Sequence, residues 1–362
     1  MKIVFLCSCA DVGKDGVGDY TALIARECGR RGHKTLVVAL NDGFVGGFAA
    51  GDGVLRLGTA MGWRERVERA REAVASFGAE VVSLQWVPYG FHPKGISWKI
   101  EKGLGRIVGG RPAQVMCHEV WIGAEAGASL RCHVAGAVQR MVMKRIFRTL
   151  RAGCVQTSNA AYAGLLRQAG LEAEVLPLFG AIPVRGVRAV KEDGIVRFGM
   201  FGELHPKWPP EPLLGRLRDM GKRIEIAHIG GMSQMGEAAW RKMKQRYARE
   251  FAFKRLGQQP PERVSQFLME MDFGIATTPL ALIGKSGTAT AMLEHGLPVI
   301  VNRNDVQYPG VEAGDKPEGV IVMDGDFICA LQEAPRREPR SRLPEVADQF
   351  LESLIAIRAG KP

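Results

Sequence analysis

The chain has 362 residues, of which 46% are hydrophobic and 24% charged, a composition typical of a folded protein and not of a disordered one. At roughly 100–200 residues per domain this length predicts two domains, and no stretch approaches the ~20 apolar residues that cross a bilayer. The net charge of +11 favours an anionic partner, a phosphate-bearing ligand or a phospholipid surface; nucleic acid is not expected, because no zinc-finger or RNA-recognition signature accompanies the charge.

The apolar run at residues 3–7, IVFLC, is predicted to be the first buried strand. It is too short for the apolar core of a signal peptide, and Lys14 and Asp15 follow it in place of a small-residue cleavage site. The seven cysteines are scattered and include no Cys-x-x-Cys pair, so they indicate neither a disulfide framework nor a metal site. We therefore expect a protein of the reducing cytoplasm that binds no metal.

Apolar runs alternate with helical patterns along nearly the whole chain. The predicted strands form two series, one at 3–7, 35–39, 81–84, 114–117 and 154–157, the other at 197–200, 225–229, 253–256, 273–276, 298–301 and 320–323. Helices are predicted at 20–31, 63–77, 138–150, 159–168, 262–271 and 288–295. Continuous apolar strands joined by helices predict parallel sheets covered on both faces, so the fold class is α/β with two doubly wound domains.

Two segments interrupt this periodicity. Residues 181–194, AIPVRGVRAVKEDG, combine proline, charge and glycine and are predicted to be a linker. The tail at 343–360 is predicted to be a helix and follows the basic, proline-rich segment APRREPRSRLP. The predicted organisation is therefore a domain at 1–185, a second domain at 186–335, and a linker with a terminal helix at 336–362.

A glycine turn follows the first strand in DGVGDYTALIARECGRRGH, residues 15–33. In parallel sheets ligands bind beyond the carboxyl ends of strands, where helix N-termini offer free N–H groups. Gly16, Val17 and Gly18 would let a substrate approach the backbone, while Asp19 or Thr21 would cap the helix or contact a hydroxyl. A capped strand-to-helix turn explains the same residues. A dinucleotide fingerprint is excluded, since it requires glycine where Thr21 stands.

Two further strand ends carry polar or aromatic side chains. In QWVPYGFHPKG, residues 85–95, Trp86 and Tyr89 would form an apolar platform of the kind on which sugar rings stack, with His92 as a polar contact; sealing of a domain edge is the alternative. In CHEVWIG, residues 117–123, His118 stands beside an acid and would serve as a hydrogen-bond donor or a base. A structural histidine is the alternative reading.

The second series opens with FGMFGELHPKW, residues 198–208, a strand followed by a glycine turn at Gly202. His205 and Lys207 are expected to contact phosphate, and Glu203 to contact hydroxyl groups. The alternative is a solvated loop with no ligand.

The stretch at 271–303 contains the segment GKSGT, residues 284–288, between a strand and a helix. Lys285 beside the N–H groups of a helix start predicts an anion site for a diphosphate that includes Ser286, Gly287 and Thr288. Simple capping of the helix is the alternative, and the glycine spacing of a Walker P-loop is absent.

The helix predicted at 138–150 is basic and amphipathic. Arg140, Lys144, Arg148 and Arg151 fall on one stripe, and apolar residues cover the other side. Such a helix either rests on an anionic membrane surface or packs its apolar side on its own sheet. The first alternative predicts peripheral contact with the inner face of the cell membrane.

Three of these segments resemble the GT-B glycosyltransferases, and among them the large retaining group that includes bacterial mannosyl- and glucosyltransferases of cell-surface glycan assembly. The segment at 16–38 is similar to the glycine loop, first helix and second strand of that family. The segments RLGQQPPERVSQFLMEMDFGIATTP and GTATAMLEHGLPVIV resemble its approach to the donor site and its donor-site helix. The resemblance spans nearly the whole chain.

The resemblance implies two Rossmann-like domains that face a cleft, the first holding an acceptor and the second a nucleotide-diphosphate sugar. It implies a C-terminal helix that returns to the first domain and a reaction without a metal or other cofactor. By position, His118 would contact the transferred sugar, the loop from Gly16 to Gly18 would line the cleft, and Lys285, Ser286 and Gly287 would lie at the phosphates.

This sequence departs from the family pattern at two places. The family has two glutamates eight positions apart, and counting back from Gly296 those positions hold Ile283 and Ala291. Glu294, one turn after Ala291, is then expected to contact the ribose. Where the family has the arginine of a Gly-Arg-Leu turn, this chain has Glu203, and Lys207 is expected to replace the missing positive charge.

The leading hypothesis is an enzyme that moves a sugar from a nucleotide donor to an acceptor hydroxyl of a glycan or small molecule. The alternative is a GT-B-like protein that binds a sugar nucleotide or a glycan without transferring the sugar, which the missing glutamates favour. A nicotinamide dehydrogenase is disfavoured by the absent dinucleotide fingerprint.

Overall fold

A computed structural model of the chain describes residues 1–186, 193–312 and 314–360. The chain divides into two compact units. Unit 1 comprises Met1–Pro177, Tyr308–Ala313 and Leu343–Pro362, and unit 2 comprises Leu178–Gln307 and Gly314–Arg342. Residues 187–192 of the predicted linker lie outside the described residues.

Unit 1 contains an eight-stranded sheet in the order β3-β4-β2-β1-β5-β6-β7-β8. Its strands are β1 (Lys2–Cys7), β2 (Lys34–Asp42), β3 (Phe48–Gly51), β4 (Val54–Gly58), β5 (Val81–Trp86), β6 (Ala113–Cys117), β7 (Cys154–Thr157) and β8 (Glu174–Val175). All neighbours pair in parallel except β3 and β4, which form an antiparallel hairpin at the edge. The central strands are buried throughout except at Lys2, the first residue of β1, as expected for a sheet covered on both faces.

Three helices of unit 1 begin after a residue whose side chain caps them. Asp15, Ser129 and Asn159 each accept a backbone N–H at the start of a helix, which satisfies one of the unpaired donors there. The capped helices are α1 (Gly16–Arg30), α5 (Leu130–Thr149) and α6 (Ala160–Gln168), and α2 (Trp63–Phe77), α3 (Pro88–Phe91) and α4 (Ile100–Val108) begin without a side-chain cap.

Unit 2 contains a six-stranded, all-parallel sheet in the order β11-β10-β9-β12-β13-β14. Its strands are β9 (Ile195–Phe201), β10 (Arg223–Ile229), β11 (Ala252–Arg255), β12 (Phe273–Ala276), β13 (Val299–Val301) and β14 (Val320–Val322). Counted within the unit, the order is 3-2-1-4-5-6, the arrangement of a dinucleotide-type Rossmann sheet.

Helices cover both faces of this sheet and bury their apolar stripes against it. Trp240, Met243 and Tyr247 lie on one side of α8 and join one core, and Val264 and Phe267 of α9 join the other. The helices are α7 (Pro210–Arg218), α8 (Gln234–Tyr247), α9 (Pro261–Glu270), α10 (Gly287–Glu294) and α11 (Phe327–Glu333), and a 3-10 turn at Leu280–Lys285 precedes α10. Both units are doubly wound α/β sheets, which confirms the predicted fold class.

The last helix, α12 (Leu343–Arg358), belongs to unit 1. Phe350 stacks on Phe5 of β1 with ring centroids 5.6 Å apart, and Asp348 forms an ion pair with Arg31 at 2.7 Å. The helix therefore covers the sheet of unit 1 beside α1. Among the described residues, no helix is long and apolar enough to cross a membrane.

Several elements differ from the sequence predictions. Helix α1 begins at Gly16, four residues before the predicted start, because Asp15 caps it; neither Asp19 nor Thr21 is the cap. Helix α5 begins at Leu130, eight residues before its predicted start. The hairpin of β3 and β4, the short strand β8 and the helices α3, α4, α7, α8 and α11 were not predicted.

Candidate functional site

The candidate site of unit 2 lies at the carboxyl ends of β9 and β12. These strands are neighbours in the sheet, and the strand order reverses between them. Loops that leave such a pair diverge to opposite faces and open a crevice, which is where ligands bind in open α/β sheets. The predicted donor-binding residues fall on these two loops, after Phe201 and after Ala276, and on the helix that follows the second loop.

The turn after β9 is fixed by contacts with β10 and α10. Gly202 has a φ of 81°, in the left-handed region that favours glycine. A Cβ on Gly202 would lie 2.9 Å from Cγ2 of Thr288, so the turn contacts the first turn of α10. The Nε2–H of His228 donates to the Gly202 carbonyl oxygen at 2.7 Å. Burial lowers the pKa of His228 to about 4, so this histidine is neutral at pH 7 and acts as a fixed donor.

Helix α10 begins in the second loop. Ser286 is its N-cap and accepts the N–H of Ala289 at 3.3 Å. The N–H groups of Gly287 and Thr288 have no acceptor within the helix, which is a consequence of their position in its first turn. Lys285 directly precedes the cap and is half-buried. A cation, two backbone donors and the positive end of the helix dipole thus stand together, an arrangement suited to an anion.

His205 lies on the first loop and is fixed by neighbouring donors. Its Nδ1 accepts from Nη1 of Arg303 at 2.8 Å and from the backbone N–H of Lys207 at 3.1 Å. Burial, with the nearby positive charge of Arg303, lowers the pKa of His205. The neutral ring therefore carries its proton on Nε2 and can donate to an oxygen of a ligand. The Lys207 side chain is exposed.

Arg303 was not singled out from the sequence. It follows β13, its side chain is only 2% exposed, and it forms a two-point ion pair with Asp305. It also donates to the carbonyl oxygen of Thr277 at 3.4 Å. Arg303 therefore fastens the loops after β9, β12 and β13 to one another. The sequence signal that could have identified Arg303 is an arginine at the carboxyl end of a predicted buried strand.

Glu203 does not have the position that the hydroxyl-binding prediction assumed. Its carboxylate accepts the backbone N–H of Ser233 at 2.6 Å and the Ser233 hydroxyl at 2.7 Å. A Cβ on Gly236 would lie 2.6 Å from Glu203 Oε1, so the glycine makes room for the carboxylate. Glu203 thus stabilises the start of α8, where the helix dipole favours a negative charge. This explains an acid where the family has a base.

The prediction that Glu294 contacts a ribose is wrong in this structure. Glu294 lies in the last turn of α10, at the opposite end of the helix from Gly287, and is only 3% exposed. Its Oε1 accepts the N–H groups of Gly180 at 3.0 Å and of Arg342 at 2.9 Å. Burial raises the pKa of Glu294 to about 7 against the lowering effect of those two N–H groups. The side chain is enclosed and joins two chain segments of unit 2.

The corresponding reversal of strand order in unit 1 lies between β1 and β5. The first loop there, residues 8–15, leads into α1. Asp15 caps this helix by accepting the N–H of Gly18 at 2.7 Å, and Asp19 accepts the N–H of Gly13 at 2.9 Å. A Cβ on Gly18 would lie 2.7 Å from the carbonyl oxygen of Cys9. Gly18 therefore permits close packing of the helix on the loop rather than the approach of a substrate.

Two of the three predicted glycine-loop residues remain accessible. Gly16 has no atom within 4 Å of the position that a Cβ would occupy. Val17 is half-buried, and its carbonyl oxygen accepts from the Thr21 hydroxyl at 2.6 Å. Gly16 and Val17 are therefore the part of the loop that a ligand can reach.

The loop after β5 differs from the predicted aromatic platform. Trp86 is fully buried and packs against Phe91 at 5.7 Å, so it offers no face to a sugar and the prediction for it is wrong. Tyr89 is 41% exposed, and its hydroxyl accepts from Gln139 Nε2 at 3.0 Å. His92 accepts two backbone N–H groups of its own turn through Nδ1. Of the two predicted platform residues, Tyr89 is the one with an exposed ring.

Gln139 of α5 was missed by the sequence analysis. It is 2% exposed and also donates to the Lys94 carbonyl oxygen at 2.8 Å, while its Oε1 accepts the N–H of Ile122 at 3.0 Å. One side chain thus joins the loops that follow β5 and β6.

His118 follows β6 and is buried at the same edge of the sheet. Its backbone N–H donates to the Trp86 carbonyl oxygen at 3.0 Å. Its Nε2 lies 2.9 Å from Oε1 of Gln85, and its ring meets the edge of Tyr20 with centroids 4.8 Å apart. The structure therefore places His118 beside the start of α1, among the loops that were predicted to contact an acceptor.

Helix α5 presents a basic surface on unit 1. Its predicted apolar side is buried, including Val142, Ile146 and Phe147. Arg140, Arg145 and Arg148 are exposed along a groove in which Lys144 also lies. The exposed apolar side chains of this helix are Leu130, Val134 and Met141. Within the described ranges, no group of three or more His, Cys, Asp or Glu residues has the arrangement of a metal site.

Comparisons with protein-family models and with curated protein sequences found no match. Comparison with solved structures found similar folds over nearly the whole chain. The chain is similar to sucrose-phosphate synthase from Thermosynechococcus elongatus, with 13% identity and a TM-score of 0.60 over 99% of this chain and 96% of that one. It is similar to the lipopolysaccharide outer core galactosyltransferase WaaB, with 12% identity and a TM-score of 0.59 over 99% of each chain.

A third similar structure contains a nucleotide and a sugar. It is Anabaena HepE in complex with UDP and glucose, with 12% identity and a TM-score of 0.56 over 99% of this chain and 98% of that one. Identities of this size carry information about the fold alone. With two Rossmann-like units in order along the chain, the protein has the GT-B fold of these glycosyltransferases, as the sequence resemblance predicted.

Proposed function

We propose that the protein transfers a sugar from a nucleoside-diphosphate donor to a hydroxyl group of a glycan or small-molecule acceptor. The observation that carries this proposal is the switch point of unit 2, where the Gly202 turn contacts the first turn of α10 and Lys285 directly precedes the N-cap of that helix. The similarity in fold to a protein in complex with UDP and glucose supports it.

The chemistry of the leaving group explains why this arrangement suits the reaction. Departure of a nucleoside diphosphate places negative charge on its phosphate oxygens in the transition state. The N–H groups of Gly287 and Thr288 and the ammonium group of Lys285 are expected to stabilise that charge. The Nε2–H of His205 and the exposed Lys207 are proposed as further donors to the diphosphate.

These groups are proposed to replace a divalent cation. Transfer should then continue in EDTA, and a strict requirement for added Mg²⁺ or Mn²⁺ would contradict this part of the proposal. Retention of the anomeric configuration is proposed from the family resemblance, and NMR of the product formed in the first minutes tests it.

Unit 1 is proposed to bind the acceptor. Gly16 and Val17 leave the backbone at the start of α1 accessible, and Tyr89 supplies an exposed ring at the neighbouring strand end. His118 is proposed to contact the transferred sugar. Its burial beside Tyr20 supports a fixed orientation of the ring.

The test is release of nucleoside diphosphate from a panel of sugar nucleotides by the wild type and by Lys285→Ala. Loss of one electrostatic donor to a transition state costs about 2–4 kcal/mol, so kcat should fall by a factor between ~30 and ~10³. Lys242→Ala, which removes an exposed lysine on α8, is the matched control and should behave as the wild type. Unchanged turnover in Lys285→Ala would contradict the proposed role.

A second candidate function is binding of a sugar nucleotide or glycan without transfer. The specific observation in its favour is that Glu294, the acid expected from the sequence to contact the ribose, is enclosed at the far end of α10. Saturable nucleotide binding with no diphosphate release from any donor and acceptor tested would establish this second function.

Peripheral contact with an anionic membrane is proposed for α5. Leu130, Val134 and Met141 are 79%, 60% and 52% exposed and share the helix with exposed arginines. Apolar side chains that enter the interface, surrounded by cations, are typical of surface-bound helices. Co-sedimentation with liposomes should rise with the fraction of anionic lipid, and binding independent of that fraction would contradict the proposal.

A further inference from the structure

A continuous chain of polar side chains, buried except at its far end on α12, runs across three strands of the sheet of unit 1 and ends at His118. Strands buried on both faces of a parallel sheet are normally apolar, and desolvation of polar groups there is costly unless every group is paired. Here three neighbouring strands each contribute serine or glutamine to one connected network. We call this network the polar relay, and its members are His118, Gln85, Ser83, Gln114, Gln156 and Ser353.

The half of the polar relay next to His118 lies on β5 and β6. Ser83 and Gln114 are register partners in the sheet, and Ser83 and Gln85 share one face of their strand. Gln85 Oε1 lies 2.9 Å from His118 Nε2, and Gln85 Nε2 donates to Ser83 Oγ at 2.7 Å. Ser83 Oγ donates in turn to Gln114 Oε1 at 2.6 Å. Ser83 and Gln114 are 0% exposed.

The other half reaches the terminal helix α12. Gln114 Nε2 donates to Gln156 Oε1 on β7 at 3.0 Å, and Gln156 Nε2 donates to Ser353 Oγ at 2.9 Å. Ser353 Oγ donates to the backbone carbonyl oxygen of Gln349, one turn earlier in the helix, at 3.0 Å. The polar relay therefore ends on a group that can only accept a hydrogen bond.

Starting from this end, the donors and acceptors of the polar relay run in one direction. The hydroxyl hydrogen of Ser353 is used on the Gln349 carbonyl oxygen, so Ser353 Oγ accepts and Gln156 must turn its NH₂ group toward it. The amide oxygen of Gln156 then faces Gln114, and the same reasoning passes through the next two members to Gln85. Gln85 consequently presents its oxygen to His118, which requires a proton on Nε2 of the ring.

We propose that the polar relay positions His118 as the tautomer with its proton on Nε2, so that Nδ1 is the acceptor nitrogen of the ring. In this state His118 recognises a ligand hydroxyl by accepting its hydrogen bond. The inference rests on the proposed function, in which His118 contacts the transferred sugar. Gln85, Ser83 and Ser353 are positioning residues, because they act through His118.

The tautomer can be measured without any activity. Long-range ¹H–¹⁵N correlation spectra of the ¹⁵N-histidine-labelled full chain distinguish protonated from unprotonated ring nitrogens, and His118→Asn assigns the signal. At pH 7.5 the wild type should show His118 with a protonated Nε2 and an unprotonated Nδ1. Ser83→Ala removes the acceptor of the Gln85 NH₂ group, so Gln85 is free to turn that group toward His118. A signal from the other tautomer should then appear.

Ser353 offers a second variant, since it is half-buried on the surface of α12 and its substitution is compatible with folding. Ser353→Ala should change the His118 signal in the same direction as Ser83→Ala, whereas Ser353→Thr keeps the hydroxyl and should match the wild type. In transfer assays Ser83→Ala should lower kcat at least tenfold and leave KM for the donor within twofold.

The outcomes test the polar relay and the proposed function separately. An Nδ1-protonated His118 in the wild type, or an unchanged tautomer in both alanine variants, overturns the polar relay. The expected tautomers in a protein that transfers no sugar uphold the polar relay and refute the proposed function.

Discussion

The replacement Glu294→Gln should remove the contribution of Glu294 to the pH dependence of the stability of unit 2 between about pH 4.5 and 7. Glu294 is 3% exposed, and burial raises its pKa from 4.5 to about 7. Below pH 4.5 the carboxyl group is protonated in both the folded and the unfolded chain. Between the two pKa values the unfolded chain loses this proton and the folded chain keeps it, so the free energy of unfolding falls as the pH rises.

The size of the fall follows from the shift. Each pKa unit corresponds to about 1.4 kcal/mol, so a shift from 4.5 to about 7 lowers the free energy of unfolding by about 3 kcal/mol at and above pH 7. Glutamine keeps an oxygen for the N–H groups of Gly180 and Arg342 and has no charge to lose. Glu294→Gln should therefore equal the wild type near pH 4.5 and exceed it by up to ~3 kcal/mol at pH 7.5.

Hydrogen exchange, read by mass spectrometry on peptides from α10 between pH 4.5 and 7.5, measures the free energy of opening of this part of unit 2. The quantity to compare is the difference in the free energy of opening between Glu294→Gln and the wild type at each pH. Glu352→Gln, which removes an exposed carboxylate on α12, is the control and should show no such difference. Parallel curves for Glu294→Gln and the wild type would refute the assignment of the pH dependence to Glu294.

Two further substitutions, one of them with a matched control, test the corrections to the sequence predictions. Gly18→Ala should lower the free energy of unfolding by about 1–3 kcal/mol, because its Cβ would lie 2.7 Å from a backbone carbonyl oxygen. Gly16→Ala is the control at the same helix start, where the space is open, and it should leave the free energy of unfolding within ~0.5 kcal/mol of the wild type. Urea titrations measure both values. Glu203→Ala should cost about 1 kcal/mol through the start of α8 and leave the Kd for nucleoside diphosphate within threefold in calorimetry. A loss of binding without a loss of stability would contradict the structural role of Glu203.

The fold was largely predictable because each central strand is a continuous apolar run. β7 and β12 were predicted at their observed ends, and α2 was predicted from Trp63 to Phe77. Buried strands and amphipathic helices are local patterns, so the sequence contains them without knowledge of the partner elements. The two series of such patterns then imply two sheets.

The elements that were missed have weaker local patterns. β3 is exposed at every residue and lies in a glycine-rich segment, so no apolar alternation marks it. Helix α8 did have a signal, since Ser233 is a favoured cap and Trp240, Met243 and Tyr247 recur at helical spacing. Its many charged residues obscured that pattern. The start of α5 at Leu130 was missed because its first two turns are mostly exposed.

The candidate site was predictable only to the level of the loop. The sequence identifies which loops follow strands, and the reversal of strand order then brings the loops with Gly202 and Lys285 to one edge of the sheet. The roles of single side chains depend on contacts between distant segments. Glu203 with Ser233 and Glu294 with Gly180 are separated by 30 and 114 positions, and no local pattern records such pairs.

The polar relay, too, could be predicted from the sequence only in part. Ser83 and Gln85 alternate on one strand, which the sequence displays, yet the pairing of Ser83 with Gln114 depends on the register of two strands. A polar residue in a predicted buried strand is nevertheless a usable signal, because it requires a partner inside the protein.

The central claim is that the loops at the switch point of unit 2 bind a nucleoside diphosphate. A crystal structure of the full chain with UDP or ADP tests it most directly. The account predicts phosphate oxygens within hydrogen-bonding distance of the N–H groups of Gly287 and Thr288, with the Lys285 ammonium group on the same phosphates. A diphosphate bound elsewhere on the chain, with the first turn of α10 and Lys285 making no contact to it, would contradict the account.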